Sequence, residues 1–414
     1  MLDFLNNVIV ASIIKSAIVI VVLLTAFAYL TLIERRLLAK LQGRLGPNRT
    51  GPFGAFQPIA DGVKMAFKEQ FIPGNAKKFV FIIAPIISTI VALSAFAVVP
   101  LGRGWITGKP SVWDPWIADI NVGILWILSI SSLAVYGIVL GGWASGNRYS
   151  LLGALRSAAQ MVSYETSLGL ALSGVLMWSG SLSMIAIVKS QIDLHTWYIL
   201  VQPLGFMIYV VAACAEVNRA PFDLPEAEQE LTAGYLTEYS GLRWSLYQMS
   251  EYINMITASS IAATLFFGGW TLFGLENIPV VSILIYLVKV AIFLFIFIWV
   301  RATLPRIRYD RLMHLGWQVL LPLAALNVVI TAVVVALHWP WWINTIADVA
   351  VIIAIFVVIR QRSFTEGTRF TEKAGQVATM MPTSVRLAKF ESVIAPIDEA
   401  VVEVQEQDMN GVHV

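Results

Sequence analysis

"QPLGFMIYVVAACAEVNRAPFDLPEAEQE", residues 202–230, joins an uncharged apolar run to a segment rich in carboxylates. Residues 197–215 carry no charged side chain, which favours a membrane-spanning helix. Pro221 and Pro225 then break regular structure. The acidic residues of this segment are Glu216, Asp223, Glu226, Glu228 and Glu230. Because acidic groups and chain breakers both resist burial in lipid, the stretch marks the end of a span and needs a chemical explanation.

The composition around this stretch is that of a membrane protein. Of the 414 residues, 58% are hydrophobic and 13% are charged, whereas soluble domains carry about 25% charged residues. We therefore predict an all-α polytopic membrane protein. The net charge of +2 does not favour nucleic acid as a partner. Cys214 is the only cysteine, so this chain alone offers no disulfide framework and no all-cysteine metal site, and Cys214 itself is typical of a core residue.

Nine apolar stretches are long enough to span a bilayer, which takes roughly 20 residues per helix. They run over approximately 10–33, 79–101, 120–143, 156–180, 197–217, 250–274, 279–301, 319–338 and 342–360. The first stretch is too long for the apolar core of a cleavable signal and ends in charge, so it is predicted to be a true span. We divide the chain into a transmembrane helical domain, 1–360, and a polar tail, 361–414, which is weakly ordered or holds one or two short helices.

Lysine and arginine alternate between the two sides of these spans. The loop after the first span is strongly basic, the loop after the second holds only Arg103 and Lys109, and the alternation continues along the chain. By the positive-inside rule the basic loops face the cytoplasm or the mitochondrial matrix, with the N-terminus outside and the C-terminus inside. The two long loops, 34–78 and 216–249, therefore share the inside face.

A short amphipathic helix is predicted in the first inside loop. Apolar residues recur there at steps of three and four, while polar residues share the opposite face, including Gln57, Asp61 and Lys64. Such a helix can lie in the membrane interface, and a simple surface anchor is the alternative. Glu34, Arg35 and Arg36 at the end of the first span are typical of an interfacial charged cluster.

Three glutamates lie within or beside apolar spans. Glu165 follows Arg156 by nine residues, which puts it about 13 Å into the membrane. Glu216 ends the fifth predicted span and Glu251 begins the sixth. Ionisable groups within membranes are rare and favour functional sites such as proton relays, although a packed neutral glutamic acid is possible for any one of them. Their grouping beside one inside loop weakens that alternative.

The acidic loop itself permits two interpretations. Its carboxylates would repel one another in a dry site, unless arginines such as Arg219 and Arg243 hold them, water solvates them, or they share protons. A coupled cluster could take up or release protons when a nearby charge changes. A solvated acidic loop with two proline turns explains the same residues.

Three long motifs resemble one known family. They are "GRLGPNRTGPFGAFQPIADGVKMAFKE" (43–69), "EVNRAPFDLPEAEQELTAGYLTEYSG" (216–241) and "RIRYDRLMHLGWQVLLPLAALN" (306–327). They closely resemble the H subunit of bacterial NADH:quinone oxidoreductase, a membrane component of respiratory complex I, whose mitochondrial relative is NADH dehydrogenase subunit 1. The resemblance covers about residues 1–335, so the ninth stretch and the tail are departures from the minimal family pattern.

The resemblance implies a place at the joint between the electron-transfer arm and the membrane arm, where the inside loops help form a quinone chamber. It puts quinone contacts at Glu34, Arg35, Arg36, Asp61, Lys64, Arg219, Phe222 and Asp223. It assigns the proton path and its coupling to Glu165, Glu216, Glu226, Glu228, Glu230 and Glu251. It implies the bacterial cytoplasmic membrane, other complex I subunits as partners, and quinone, either ubiquinone or menaquinone, as substrate.

The chain offers no iron–sulfur ligand set and no GxGxxG nucleotide motif, so electrons must arrive from a partner. The resemblance places the iron–sulfur clusters and FMN in partner subunits. Two other functions use the same residues: a stand-alone proton-coupled transporter, disfavoured because the halves show no convincing repeat, and a purely structural anchor for the electron-transfer arm.

Overall fold

A computed structural model describes residues 8–104, 113–223, 233–272, 274, 278–358 and 360. Within these ranges the regular structure is helical and contains no β-strand, as predicted for an all-α membrane protein. The principal helices are α1 (Val8–Leu41), α2 (Gln57–Phe67), α3 (Lys78–Ala95), α4 (Gly123–Ala144), α5 (Arg148–Ser179), α6 (Met184–Asp193), α7 (Tyr198–Val201), α8 (Pro203–Glu216), α9 (Gly241–Phe266), α10 (Pro279–Thr303), α11 (Tyr309–Ala336) and α12 (Trp341–Val358).

Six of these helices are long and apolar enough to cross a membrane: α1, α3, α4, α10, α11 and α12. A seventh candidate is the pair α5 and α6, which is bent by 56°. Helix α8 is apolar but shorter, and α9 carries Arg243 and Glu251 among its apolar residues. A multi-pass helical membrane protein is thereby supported with six or seven candidate spans, and the predicted number of nine is not confirmed.

Helix α5 occupies the centre of the described bundle and packs against α4, α8 and α11, while α3 packs between α4 and α9. Asn147 caps the start of α5 by accepting a hydrogen bond from the Tyr149 amide (3.0 Å), and Gly180 ends it in the left-handed region at φ 61°. Small residues permit the close packing. A Cβ on Gly137 of α4 would lie 2.0 Å from the Ser88 hydroxyl of α3, so only glycine fits there.

Several helix boundaries differ from the predicted spans because polar residues continue the helices beyond their apolar segments. Helix α1 extends to Leu41, so Glu34, Arg35 and Arg36 lie on helix rather than at its end. Helix α9 begins at Gly241, so Glu251 is ten residues inside it. The predicted fifth span is two helices, α7 and α8, separated at Gln202 by the helix-breaking Pro203.

The predicted amphipathic helix is confirmed as α2, with Pro58 in its first turn. Its apolar side chains Ile59, Val63 and Phe67 are exposed in this chain. The chain divides into two units, Met1–Val349 and Ala350–Val414. Residues 350–358 of the second unit are helical, and the predicted tail, 361–414, lies outside the described residues.

Candidate functional site

A buried ion cluster joins three helices that are far apart in the sequence. Glu34 of α1 is only 3% exposed, and its carboxylate accepts hydrogen bonds from Arg219 Nη1 at 3.0 and 3.3 Å. The Arg301 guanidinium at the end of α10 donates to the same carboxylate. The sequence predicted Glu34 and Arg219 as site residues, and the structure brings them into direct contact.

Arg219 also pairs with Glu251 of α9. The distance from Arg219 Nε to Glu251 Oε1 is 2.8 Å, and the guanidinium lies 4.1 Å from the centre of the Tyr252 ring. Burial disfavours the charge of Arg219, but the carboxylates of Glu251 and Glu34 outweigh it and raise the pKa of Arg219 above its ordinary value. Arg219 therefore holds a permanent positive charge between two carboxylates.

The turn that follows α8 aims Arg219 at this cluster. Gln160 of α5 is fully buried, and its side-chain amide donates to the carbonyls of Ala215 and Phe222, both at 2.8 Å. Asn218 between them adopts a left-handed conformation (φ 54°), which reverses the chain at the end of the helix. A buried glutamine on α5 thus fixes the first residues of the acidic loop.

A small cavity of about 20 Å³ separates the ion cluster from Glu216. Both Glu251 and Glu216 line it, together with Asn218, Tyr247 and Asn254. A volume of this size holds about one water molecule when polar groups surround it. The cavity therefore offers a polar connection between the two glutamates.

Glu216 also lines a second internal cavity of about 50 Å³, which extends between α4, α5, α8 and α9. There Ser131 lies close to the Glu216 carboxylate, and Glu165 is close enough to interact with that carboxylate electrostatically. The neighbouring Ser132 hydroxyl donates to Glu165. None of the ion pairs between described residues includes Glu165 or Glu216.

Phe222 and Asp223 lie on the other side of the turn. Phe222 is buried, and its ring packs against Tyr164 at 5.8 Å between ring centres. Asp223 forms an ion pair with Arg306 (3.3 Å), and the Ile307 amide donates to the carbonyl of Pro221. These contacts bring the second and third of the long sequence motifs together at one place.

The predicted residues near α2 form a separate, exposed group. Arg35 pairs with Asp61 at 2.7 Å, and Gln57 donates to the same carboxylate group at 3.0 Å. Arg36 donates to the carbonyl of Pro47 at 3.4 Å, and Lys64 is exposed. The Arg35–Asp61 pair ties α2 to α1, the helix that also carries Glu34 of the ion cluster.

Glu226, Glu228 and Glu230 lie outside the described residues. Sequence reasoning assigned no site role to Arg301, Ser131 or Ser132, all of which contact predicted site residues. Arg301 carried a detectable signal, because it is the first basic residue after an apolar run, but nothing local links it to Glu34. Ser131 and Ser132 can be recognised as site residues only when the fold shows that Glu165 faces α4.

Comparison with known proteins identifies the family. The NADH dehydrogenase family model matches residues 14–332. The H subunit of the NADH-quinone oxidoreductase of Deinococcus deserti is 48% identical over 361 residues, which cover 84% of this chain and 91% of the relative.

Two further relatives agree. Subunit 8 of the NADH-quinone oxidoreductase of Thermus thermophilus is 52% identical, and the match covers 79% of this chain and 87% of the relative. The H subunit of the Protochlamydia amoebophila enzyme is 54% identical, with 74% and 92% covered. The family match spans the helices that carry both the ion cluster and the two cavities. This chain therefore belongs to the NADH dehydrogenase family.

Proposed function

We propose that this chain is the membrane subunit of an NADH–quinone oxidoreductase that helps form the quinone chamber and couples quinone reduction to proton translocation. Its relatives carry the name of a subunit of that enzyme and are matched over most of their length. Partner subunits hold the FMN and iron–sulfur clusters that deliver electrons, and quinone is the substrate. The chain acts in a multi-pass arrangement of nine spans in the bacterial cytoplasmic membrane, with its N-terminus outside.

The inside loops 34–78 and 216–249 contribute to the chamber in this proposal. Helix α2 supports it, because its exposed Ile59, Val63 and Phe67 form an apolar surface that lipid, a partner or an isoprenoid tail can cover. The Arg35–Asp61 pair provides polar contacts at one side of that surface. In this proposal residues 1–360 form the transmembrane helical domain, and 361–414 are a polar tail on the inside.

The cavities carry the coupling part of the proposal, because Glu216 lines both of them. Reduction of a quinone to a quinol takes up two electrons and two protons, so the chamber becomes more negative until proton-donating groups supply those protons. The cluster of Arg219, Glu34 and Glu251 keeps its charges, and its electrostatic interactions transmit the change in the chamber to Glu216. Glu216 and Glu165, which have hydroxyl partners, respond by binding or releasing a proton. Glu226, Glu228 and Glu230 extend this path towards the chamber.

The substitution Glu216→Gln tests the coupling in the assembled complex. It keeps the shape of the side chain but removes the titratable proton of the carboxyl group. We expect the complex to assemble while NADH-driven proton uptake into proteoliposomes is lost and quinone reduction slows with it. The matched control is Glu238→Gln, since Glu238 also lies in the second inside loop and accepts a hydrogen bond from Asn147 at 2.8 Å, but lines neither Glu216 cavity.

The two alternatives make different predictions. A structural anchor leaves pumping and quinone reduction intact in an assembled Glu216→Gln complex, which would refute the coupling role. A stand-alone transporter purifies alone or as a homo-oligomer. Our proposal requires co-purification with iron–sulfur subunits, so isolation of an active, lone chain would contradict it.

A further inference from the structure

Five polar side chains are completely buried in the apolar bundle, away from the carboxylates described above. They converge where the break between α7 and α8 meets α11 and α12. They are Gln202, Asn327, Thr331, Asn344 and Asp348, each with no exposed surface. Buried polar groups in a membrane protein require partners, because lipid supplies none.

The break between α7 and α8 explains why Asn344 is buried at this place. A helix that ends at Val201 leaves its last carbonyls without intrahelical donors. Side chains of α12 supply these donors: Asn344 Nδ2 donates to the carbonyl of Val201 at 2.8 Å, and Thr345 Oγ1 donates to that of Leu200 at 2.7 Å. Helix α12 therefore completes the end of α7.

Gln202 connects the same place to α5 and α11. Its amide Nε2 donates to Thr331 Oγ1 at 3.0 Å. A Cβ on Gly174 of α5 would lie 2.6 Å from Gln202 Oε1, so glycine there leaves room for the amide. Four helices thus surround one fully buried amide.

Several atoms of the cluster are not satisfied by these bonds. Asp348 lies near the backbone amide of Leu204, in the first turn of α8. Yet neither of its oxygens makes a close hydrogen bond to another described residue. The same holds for Gln202 Oε1, Asn344 Oδ1, and both Asn327 Oδ1 and Nδ2. Such a concentration of unpaired atoms is unusual, because more than about 90% of buried polar groups have a partner.

We propose that Gln202, Asn327, Asn344 and Asp348 form an intramembrane water-binding site that fastens α12 to the bundle. Water fits this set better than a metal cation, because the unpaired atoms include a donor, Asn327 Nδ2, as well as acceptors. A cation would face that donor and the Leu204 amide, whereas a water molecule both donates and accepts. The bound water bridges Asp348 of α12 to the side-chain amides of Gln202, at the break before α8, and Asn327 of α11.

The site gives α12 a role that the family comparison does not. The family model ends at residue 332, which includes Gln202 and Asn327 but excludes Asn344 and Asp348. One half of the site therefore lies within the part of the chain that the family model matches, and the other half lies beyond it on α12. The part of α12 that carries Asn344 and Asp348 is therefore a structural component of the unit Met1–Val349.

A density map of the wild-type assembled complex in lipid nanodiscs, at a resolution that shows ordered water, tests the site directly. We expect at least one density peak within hydrogen-bond distance of both Asp348 and Asn327. Direct hydrogen bonds among the four side chains, with no ordered density between them, would overturn the proposal. A peak coordinated only by oxygens at metal–ligand distances would also overturn it.

Substitutions supply a second readout. Asp348→Asn retains groups that bind water and should leave the Tm of the complex close to that of the wild type. Asp348→Leu removes them and should lower the Tm, or prevent assembly. The matched control is Ile346→Ala on the same helix, whose side chain is 60% exposed. Equal Tm values for Asp348→Leu and Ile346→Ala would contradict the proposal.

Discussion

Glu34 and Glu251 share the guanidinium of Arg219, whereas Glu165 accepts a hydrogen bond from Ser132 and Glu216 lines two internal cavities. All four are carboxylates buried to different degrees in one bundle. The first pair has compensating positive charge from Arg219 and Arg301. The second pair has no basic partner among the described residues.

The presence or absence of a basic partner suits the two pairs of carboxylates to different roles. A carboxylate bound to a guanidinium is stabilised in its charged form, so it serves as a fixed charge and a structural connection. Two neighbouring carboxylates without a cation share proton-binding equilibria, and a change of charge nearby redistributes their protons. In the proposed function, Glu216 and Glu165 therefore respond to quinone, and the Arg219 cluster transmits the response.

Arg219→Leu should have the largest effect on stability. It leaves Glu34 and Glu251 buried with one guanidinium fewer, and removal of one partner from a buried ion pair costs about 3–5 kcal/mol. We expect a strong loss of assembled complex in the membrane, measured on native gels, and a lower Tm for what assembles. Arg219→Lys, which keeps the charge, should be milder. If the Arg219→Leu complex had the Tm of the wild type, the cluster would have no role in stability.

Ser132→Ala should have an intermediate effect, confined to the second pair. It removes the hydroxyl that donates to Glu165, and a typical hydrogen bond contributes about 0.5–1.5 kcal/mol. The complex should assemble normally but pump protons more slowly in proteoliposomes.

The control for this change is Ser173→Ala on α5, because the Ser173 hydroxyl donates to the carbonyl of Leu170 in its own helix. Equal pumping rates for the two variants would show that the Glu165 contact has no part in coupling.

Arg35→Ala should have the smallest effect on stability. The Arg35–Asp61 pair has the same chemistry as the buried cluster, but the Arg35 side chain is 54% exposed. Exposed ion pairs contribute about 0–1 kcal/mol, and salt screens them. We expect a small fall in Tm at low salt that disappears at high salt. A fall as large as that of Arg219→Leu would mean that burial does not distinguish the two pairs.

Local pattern correctly predicted the all-helical class and the amphipathic helix. The three- and four-residue steps after Phe56 identified α2, and the apolar runs located the candidate spans. Helix ends were less accurate, since Gly241–Gln248 and Arg148–Leu155 continue helices although these segments are too polar to count as apolar spans.

Contacts between distant segments were not predictable from one sequence. Glu34 and Arg301 are separated by most of the chain, and no local pattern pairs them. Asp348 was detectable by the reasoning applied to Glu165, because it is a carboxylate within an apolar run, but its neighbours Gln202 and Asn327 emerge only from the fold. The helix break at Pro203, which creates that site, had a visible cause in the sequence.

Infrared difference spectroscopy of the assembled complex, recorded as quinone is reduced, tests most directly whether Glu216 responds to quinone. Carboxylic acid C=O bands report protonation of individual glutamates when spectra of Glu→Gln variants are compared. We predict a band that disappears in Glu216→Gln and persists in Glu251→Gln. A band that persists in Glu216→Gln, or disappears only in Glu251→Gln, would contradict the division between proton-binding and fixed-charge carboxylates.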